Sequence, residues 1–379
     1  MSLLDTARDL APTLAARAEE IENGRELPVD LVKELKTAGF FRMFTPRSHG
    51  GLETDLRTGL DVLEALARAD AATGWTVMIG AETPQLLSLL DRERFDELYA
   101  GSPDVVVAGG FNAQGTAEPV AGGYRVSGRW AFASGSGHAD HLFGNCVLTD
   151  GGVPRVVDGV PALRAVLLPG AEVLDTWRVL GLRGTGSNDI AVADAVAPER
   201  DTFDVFTGVP CVAGPLYTAP LVHFVLHMAA VAVGTAQGAV DDVVALATGG
   251  KHRLYAKAAL LDSPVFQVHL GRAEAGVRAA RALLREVAGE FWVRATADPA
   301  SVGPASPEAS ATLAWITETC VSAVDTCYRL GGGGAARDSS SLQRRFRDVH
   351  TMGQHAGSAE GWLGTGGTAL LGADAALAY

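Results

Sequence analysis

The sequence predicts an α+β fold in three parts: an α-helical domain over residues 1–102, a β domain over 103–214 and a bundle of four helices over 215–379. Three observations predict it. Apolar residues recur at three- and four-residue spacing up to Ser102, short β-rich runs bounded by glycine follow, and four long helical patterns resume after Pro215. At 379 residues the chain has room for two or three domains sharing buried core.

In the first domain Leu27, Leu31, Val32 and Leu35 share one helical face, Pro28 suits the start of that helix and Gly39 suits its end. Further helical patterns cover residues 60–67, 75–90 and 92–99. The β runs are 105–107, 124–126, 130–132, 142–148, 165–168 and 190–196, and Gly122-Gly123 supplies the positive φ that a tight hairpin needs. The last third reads as helices over 221–247, 265–285, 309–330 and 342–371, joined by short connections as in a bundle.

Thirty-one basic against 44 acidic residues leave a net charge of −13 with no Lys/Arg block, which disfavours nucleic acid and anionic membranes as partners. A small molecule or another copy of the chain fits better. No CxxC pair occurs among Cys146, Cys211, Cys320 and Cys327, which fits a reducing cytoplasm. The N-terminus has early acids and lacks the basic flank and apolar core of a secretion signal. Residues 219–240 are apolar enough to span a bilayer, yet they include His223, His227, Thr235 and Gln237, so the expectation is a buried helix.

Four segments in order carry a resemblance: Phe44-Thr45-Pro46 with His49-Gly50-Gly51, the run Gly128 to Gly135 (GRWAFASG), the run Gly181 to Ser187 (GLRGTGS), and Gln343 to Asp348 (QRRFRD). Across nearly its whole length the chain resembles the acyl-CoA dehydrogenase superfamily. That resemblance implies N-terminal helices, a middle β-barrel domain and a C-terminal four-helix bundle, assembled as a homotetramer with flavin at subunit interfaces. It makes Trp130, Phe132 and Ser134 candidates for the flavin wall, with Ser134 near N5. Thr185 and Ser187 become flavin contacts, Arg253 a phosphate anchor, and Gly332 and Gly333 the turn that the flavin crosses. From the residues alone, Trp130 suits a strand core better than a flavin wall, the 181–187 run suits a plain turn equally well, and Arg253 suits a solvated surface. Arg253 is followed by Leu254-Tyr255 where the superfamily has Phe-Gly, so FAD and FMN both stay open.

The dehydrogenases of this superfamily remove an α-proton with a carboxylate eight residues after the Asp of an Arg-Asp pair. Here Arg347-Asp348 is present, but eight residues on stands Ala356, and no Asp or Glu occurs from Val205 to Val240. Glu360, one helical turn away, is the residue left for a displaced base. A histidine in this region resembles instead the two-component flavin monooxygenases, which imply reduced flavin from a separate reductase, O2 as cosubstrate and an aromatic or indole-like substrate. His355, seven residues after Asp348, falls about 20° from it on a helix and is the candidate site imidazole, acting as a base or a hydrogen-bond partner. Trp75, His223 and His227 are candidate substrate-pocket walls; the two histidines equally suit a helical core, and they lack a third metal ligand or an HExxH register. The alternatives are an acyl-CoA dehydrogenase using Glu360 and a flavin-binding protein without catalysis.

Overall fold

The computed structural model describes residues 2–250, 259–303 and 306–372. Its first part holds α1 (Leu3–Gly24), α2 (Val29–Ala38), α3 (Leu56–Ala69), α4 (Ala71–Ala81), α5 (Thr83–Leu87) and α6 (Arg92–Tyr99). Local chemistry sets their ends. Ser2 and Asp5 form a reciprocal capping box, Asp55 and Asp70 cap α3 and α4 through the amides of Thr58 and Thr73, and Gly39 closes α2 at φ 90°. The 75–90 pattern divides at Glu82, where Pro84 opens α5.

The middle part contains β1 (Val107–Val120), β2 (Gly123–Ala133), β3 (His141–Asp150), the short β4 (Val153–Pro154), β5 (Val156–Val157) and β6 (Val160–Pro161), then β7 (Leu163–Leu167), β8 (Glu172–Leu174), β9 (Asn188–Pro198) and β10 (Thr202–Phe203). One mixed sheet runs in the order β10-β7-β3-β1-β2-β9-β8, with β4 on β3. β1 and β3 are its parallel pair; β1 and β2 form the expected hairpin, Val120 opposite Gly123 and Gly122 at φ 81°. Trp130 fills the core of this sheet, fully buried, its Nε1–H donating to the Asn145 carbonyl at 2.6 Å. Gly110, Gly115, Gly128 and Gly144 surround its ring; a methyl group on any of them would collide with it. Trp130 is therefore a core residue, which corrects its expected place in a flavin wall.

The last part contains α7 (Pro220–Thr248), α8 (Pro264–Ala297), α9 (Pro307–Gly331), α10 (Ser341–Met352) and α11 (Gly361–Leu370). α7 is long and apolar enough to cross a membrane, but 78% of its most apolar window is buried, because α3, α8, α9 and α10 pack around it. Gly234 lets α3 approach so closely that a side chain there would strike the Glu64 carbonyl. The single helix expected over 342–371 is instead α10 and α11, separated by a 3₁₀ turn at Ala356–Ser358. Gly353 ends α10, and the His355 side chain accepts from the Gly357 amide, capping the turn. His355 thus does not lie on a helix face shared with Asp348, and the 20° relation does not apply.

Candidate active site

Trp75 sits in the middle of α4, an apolar helix buried between α3, α7 and the 3₁₀ turn Arg183–Thr185. Its indole joins two groups that the sequence places far apart. On one side Nε1–H donates to Ser134 Oγ at 3.1 Å; on the other the ring meets His355 edge to face, with centroids 5.7 Å apart.

Ser134 reaches this place because β2 does not alternate to its end. Pairing with β9 shifts register between Trp130 and Ala133, and Phe132 adopts φ 70°, so Trp130, Phe132 and Ser134 do not share a face as simple alternation predicts. Trp130 points into the sheet core, Phe132 is 62% exposed with its edge toward Trp177, and Ser134 is buried against the helical domain. From Ser134 a run of hydroxyls extends inward: Ser187 Oγ at 2.7 Å, Thr185 Oγ1 a further 2.6 Å on, then the Leu182 carbonyl, which accepts from Thr185 at 2.8 Å. The Gly135 amide donates to the Thr185 carbonyl at 2.8 Å and ties the two loops together.

The 181–187 loop is clamped from α10. Asp348 Oδ1 accepts from the Leu182 amide at 2.6 Å, and Arg347 donates to the Leu180 carbonyl at 2.9 Å while pairing with Glu22. Gly181 lies so near the Arg347 carbonyl that no side chain fits there. Burial pushes the Asp348 carboxyl up to about 7, opposed by the Leu182 amide and Arg347 and reinforced by Asp70 and Glu22. Arg347-Asp348, part of the QRRFRD segment and the reference point for the missing base, is this clamp.

His355 is crowded by protein yet keeps an exposed face. The crowding lowers its pKa, so it is neutral above its ordinary titration range. Nδ1 accepts from the Gly357 amide at 3.0 Å; the neutral ring therefore carries its proton on Nε2. Glu360 stands exposed at the start of α11.

His223 and His227 are fully buried on α7. His223 Nε2–H donates to the Pro215 carbonyl at 3.0 Å; His227 stacks on Phe44 and has Nδ1 2.8 Å from Glu82 Oε1. Burial pushes both imidazoles down to about 3 and Glu82 well above the ordinary carboxylate range, so this contact is a hydrogen bond between neutral groups. No local sequence signal marks Glu82, whose partner His227 lies 145 residues away. Gly332 and Gly333 lie exposed at the end of α9 with open space where a side chain would be. Arg253 lies outside the described residues.

The chemistry of this donor set fits a flavin: an exposed aromatic ring at Phe132, a hydroxyl whose acceptor capacity is not spent, and an open glycine turn. Comparison with known proteins agrees. Residues 1–89 match the family model of the acyl-CoA dehydrogenase N-terminal domain, and residues 226–360 that of an acyl-CoA dehydrogenase C-terminal domain. An indole-3-acetate monooxygenase of Pseudomonas putida is 32% identical over 94% of this chain and 88% of its own. The oxygenase subunit HsaA of a flavin-dependent monooxygenase from Rhodococcus jostii is 30% identical over 92% of both chains. The solved structure of XiaF from a Streptomyces species, in complex with FADH2 and glycerol, superposes with a TM-score of 0.88 at 26% identity, covering 98% of this chain and 95% of that one. The chain belongs to the acyl-CoA dehydrogenase superfamily and, within it, to the flavin-dependent monooxygenases.

Proposed function

We propose that the chain is the oxygenase of a two-component system that hydroxylates an aromatic or indole-like small molecule with O2 and a reduced flavin delivered by a separate reductase. One observation carries the reading: the indole of Trp75 unites a neutral, Nε2-protonated His355 with the Ser134 hydroxyl chain, and Ala356 stands where a dehydrogenase needs its carboxylate. Ser134, Thr185, Ser187, Phe132, Gly332, Gly333 and Arg253 are the residues that would hold the cofactor, FAD or FMN. When bound in reduced form, that group supplies the electron pair for oxygen reduction.

The chain's own residues do the rest. Trp75 walls the reacting space, and the apolar α7 keeps water from it. His355 offers Nε2–H as a donor to oxygen bound beside it. Of the two roles foreseen for this ring, donation suits the tautomer, whereas acting as a base first requires the proton to leave Nε2. His223 and His227 are fully buried and bonded to the Pro215 carbonyl and Glu82, so they belong to the helical core, which corrects their expected place as substrate-pocket walls.

The same reading takes the functional unit to be a cytoplasmic homotetramer. All four thiols are free, and Val265, Val268, Val293, Trp315 and Leu370 leave apolar surface on α8, α9 and α11 for other copies to cover. Mass in solution checks the assembly: a monomer refutes it. The function is tested by mixing protein and chemically reduced FMN or FAD with 18O2 and a panel of indoles, including indole-3-acetate, and phenols. One labelled oxygen in a product supports the proposal. Turnover of an acyl-CoA with an artificial electron acceptor, lost in Glu360→Gln, refutes it.

A further inference from the structure

Lysine is rare in this chain: Lys33, Lys36, Lys251 and Lys257 are the four among 31 basic residues, and two of them stand one turn apart on α2. Val29, Val32, Lys33, Lys36 and Thr37 recur at three- and four-residue spacing and so share one face of that helix. The face lines a hollow of about 480 Å³, walled on its other sides by Arg42, Asp104 and His138. That volume is in the range of small-molecule sites. His138 closes the turn that begins one residue after Ser134, so the hollow adjoins the Trp75 site through that turn and shares no residue with it.

Three cations face one carboxylate in this lining, although the chain as a whole carries a net charge of −13. Part of the positive charge is already met: Arg42 donates to Asp104 Oδ2 at 2.9 Å, and Lys36 lies 3.5 Å from Asp140 at the rim. Lys33 forms no ion pair among the described residues. His138 adds no charge at neutral pH, because burial, reinforced by Lys36 and opposed by Asp140, pushes its imidazole down to about 4. Two buried atoms of the same wall have no hydrogen-bond partner: Asp104 Oδ1, the oxygen that Arg42 leaves free, and His138 Nε2. Buried polar atoms of a native protein are satisfied by protein, water or ligand, so these two mark a wall built to face something polar. Val29, 87% exposed, and Val32 supply an apolar side to the same space.

We propose that this hollow is a second binding site, for a small organic anion: a carboxylate or phosphate on an apolar body, the head taken by Lys33 and Lys36 and the body lying on Val29 and Val32. A hydroxyl of the ligand or a water carried in with it meets Asp104 Oδ1 and His138 Nε2. The site does not depend on the flavin reading, since no residue assigned to the cofactor lines it.

The test is isothermal titration of the purified chain with 4-methylpentanoate, 3-methylbutyl phosphate, acetate and inorganic phosphate, at an ionic strength held constant with chloride. Aliphatic probes keep an aromatic-binding site out of the measurement. The two branched probes are expected to bind with dissociation constants on the order of 0.1–1 mM and to outbind acetate and inorganic phosphate, because the valines contribute. The tighter of the two identifies the head group. Lys33→Glu reverses an exposed charge and is expected to weaken binding about ten-fold, while Lys33→Arg retains it. Asp104→Asn keeps an oxygen for Arg42 but removes the opposing charge of the lining, and is expected to tighten binding about three-fold. General damage to the fold would move Lys33→Glu and Asp104→Asn in the same direction; opposite shifts are the mark of an anion held here. No binding of any probe up to about 10 mM, an affinity unchanged in Lys33→Glu, or equal losses in both variants overturns the proposal.

Discussion

Asp348 is the residue through which stability and loop geometry are most tightly joined, and its substitution separates the two. The carboxyl is buried and holds its proton to about pH 7, against 3.8 for an ordinary aspartate. Below pH 3.8 it is protonated in both folded and unfolded chains. Between 3.8 and 7 only the native state keeps the proton, so stability falls as pH rises, and above 7 the penalty is complete. At about 1.36 kcal/mol per pH unit the rise is worth roughly 4 kcal/mol at most. Asp70, Glu22, Arg183 and Arg344 line the same small cavity; Asp70 is also raised by its burial and adds to the slope with the same sign. Asp348→Asn keeps an oxygen for the Leu182 amide and cannot ionise. Its unfolding free energy, from urea titrations at pH 4.5, 6 and 8, is expected to decline less with pH than that of the wild type and to match or exceed it at pH 8. Asp348→Ala leaves the buried Leu182 amide unpaired, costs about 1–3 kcal/mol relative to Asp348→Asn at every pH and loosens the 181–187 loop. Parallel pH curves for wild type and Asp348→Asn would refute the claim that this group carries a protonation penalty.

His355→Ala is expected to leave the melting temperature within a few degrees, because the ring keeps an exposed face, while shifting oxygen use from product to hydrogen peroxide; an oxygen electrode with catalase addition reads the split. Because the His355 pKa is lowered, the ring stays neutral above pH 6.5, and coupled turnover between pH 7 and 9 is expected to show no step from its titration; such a step, absent in His355→Asn, would contradict the assignment. Trp130→Ala empties the centre of the β core and removes the bond to Asn145, at a cost of about 3–5 kcal/mol in chemical denaturation. Glu82→Gln retains a neutral partner for His227 and is expected to change stability by less than about 1 kcal/mol, whereas Glu82→Ala strands a buried imidazole and costs about 1–3 kcal/mol; equal losses in the two variants would show that Glu82 is charged.

The three-part organisation is legible in the sequence because each part repeats one period many times, and an error at a single residue does not alter the pattern. The site is less legible, for reasons that three residues make plain. Phe132 breaks strand alternation through a left-handed backbone and a register shift, neither of which side-chain spacing encodes. His355 follows a glycine that ends α10, so extrapolating helical angles from Asp348 passes through a turn. Glu82 gains its meaning only from His227, 145 residues away, and no local signal pairs them. The sequence offers Trp75 only as a pocket wall; the folded structure reveals that its single polar atom meets Ser134.

The motifs that carry the superfamily resemblance and the groups that carry the chemistry are largely different residues. Trp130 plugs the sheet, Gly181 admits the α10 backbone, and Arg347-Asp348 pins the loop: each is a packing device that any enzyme on this scaffold can use. The chemistry lies at the margins of those motifs, on the last serine of GRWAFAS, on the hydroxyls of the pinned loop and on His355, three residues past the end of α10. The scaffold brings these three points to one indole. A substitution there alters the reaction with little effect on the fold, whereas a substitution within the motifs alters both. A carboxylate and an imidazole can thus exchange roles in this region between dehydrogenases and oxygenases without disturbing the clamp, because Asp348 holds the Leu182 amide whichever group follows α10.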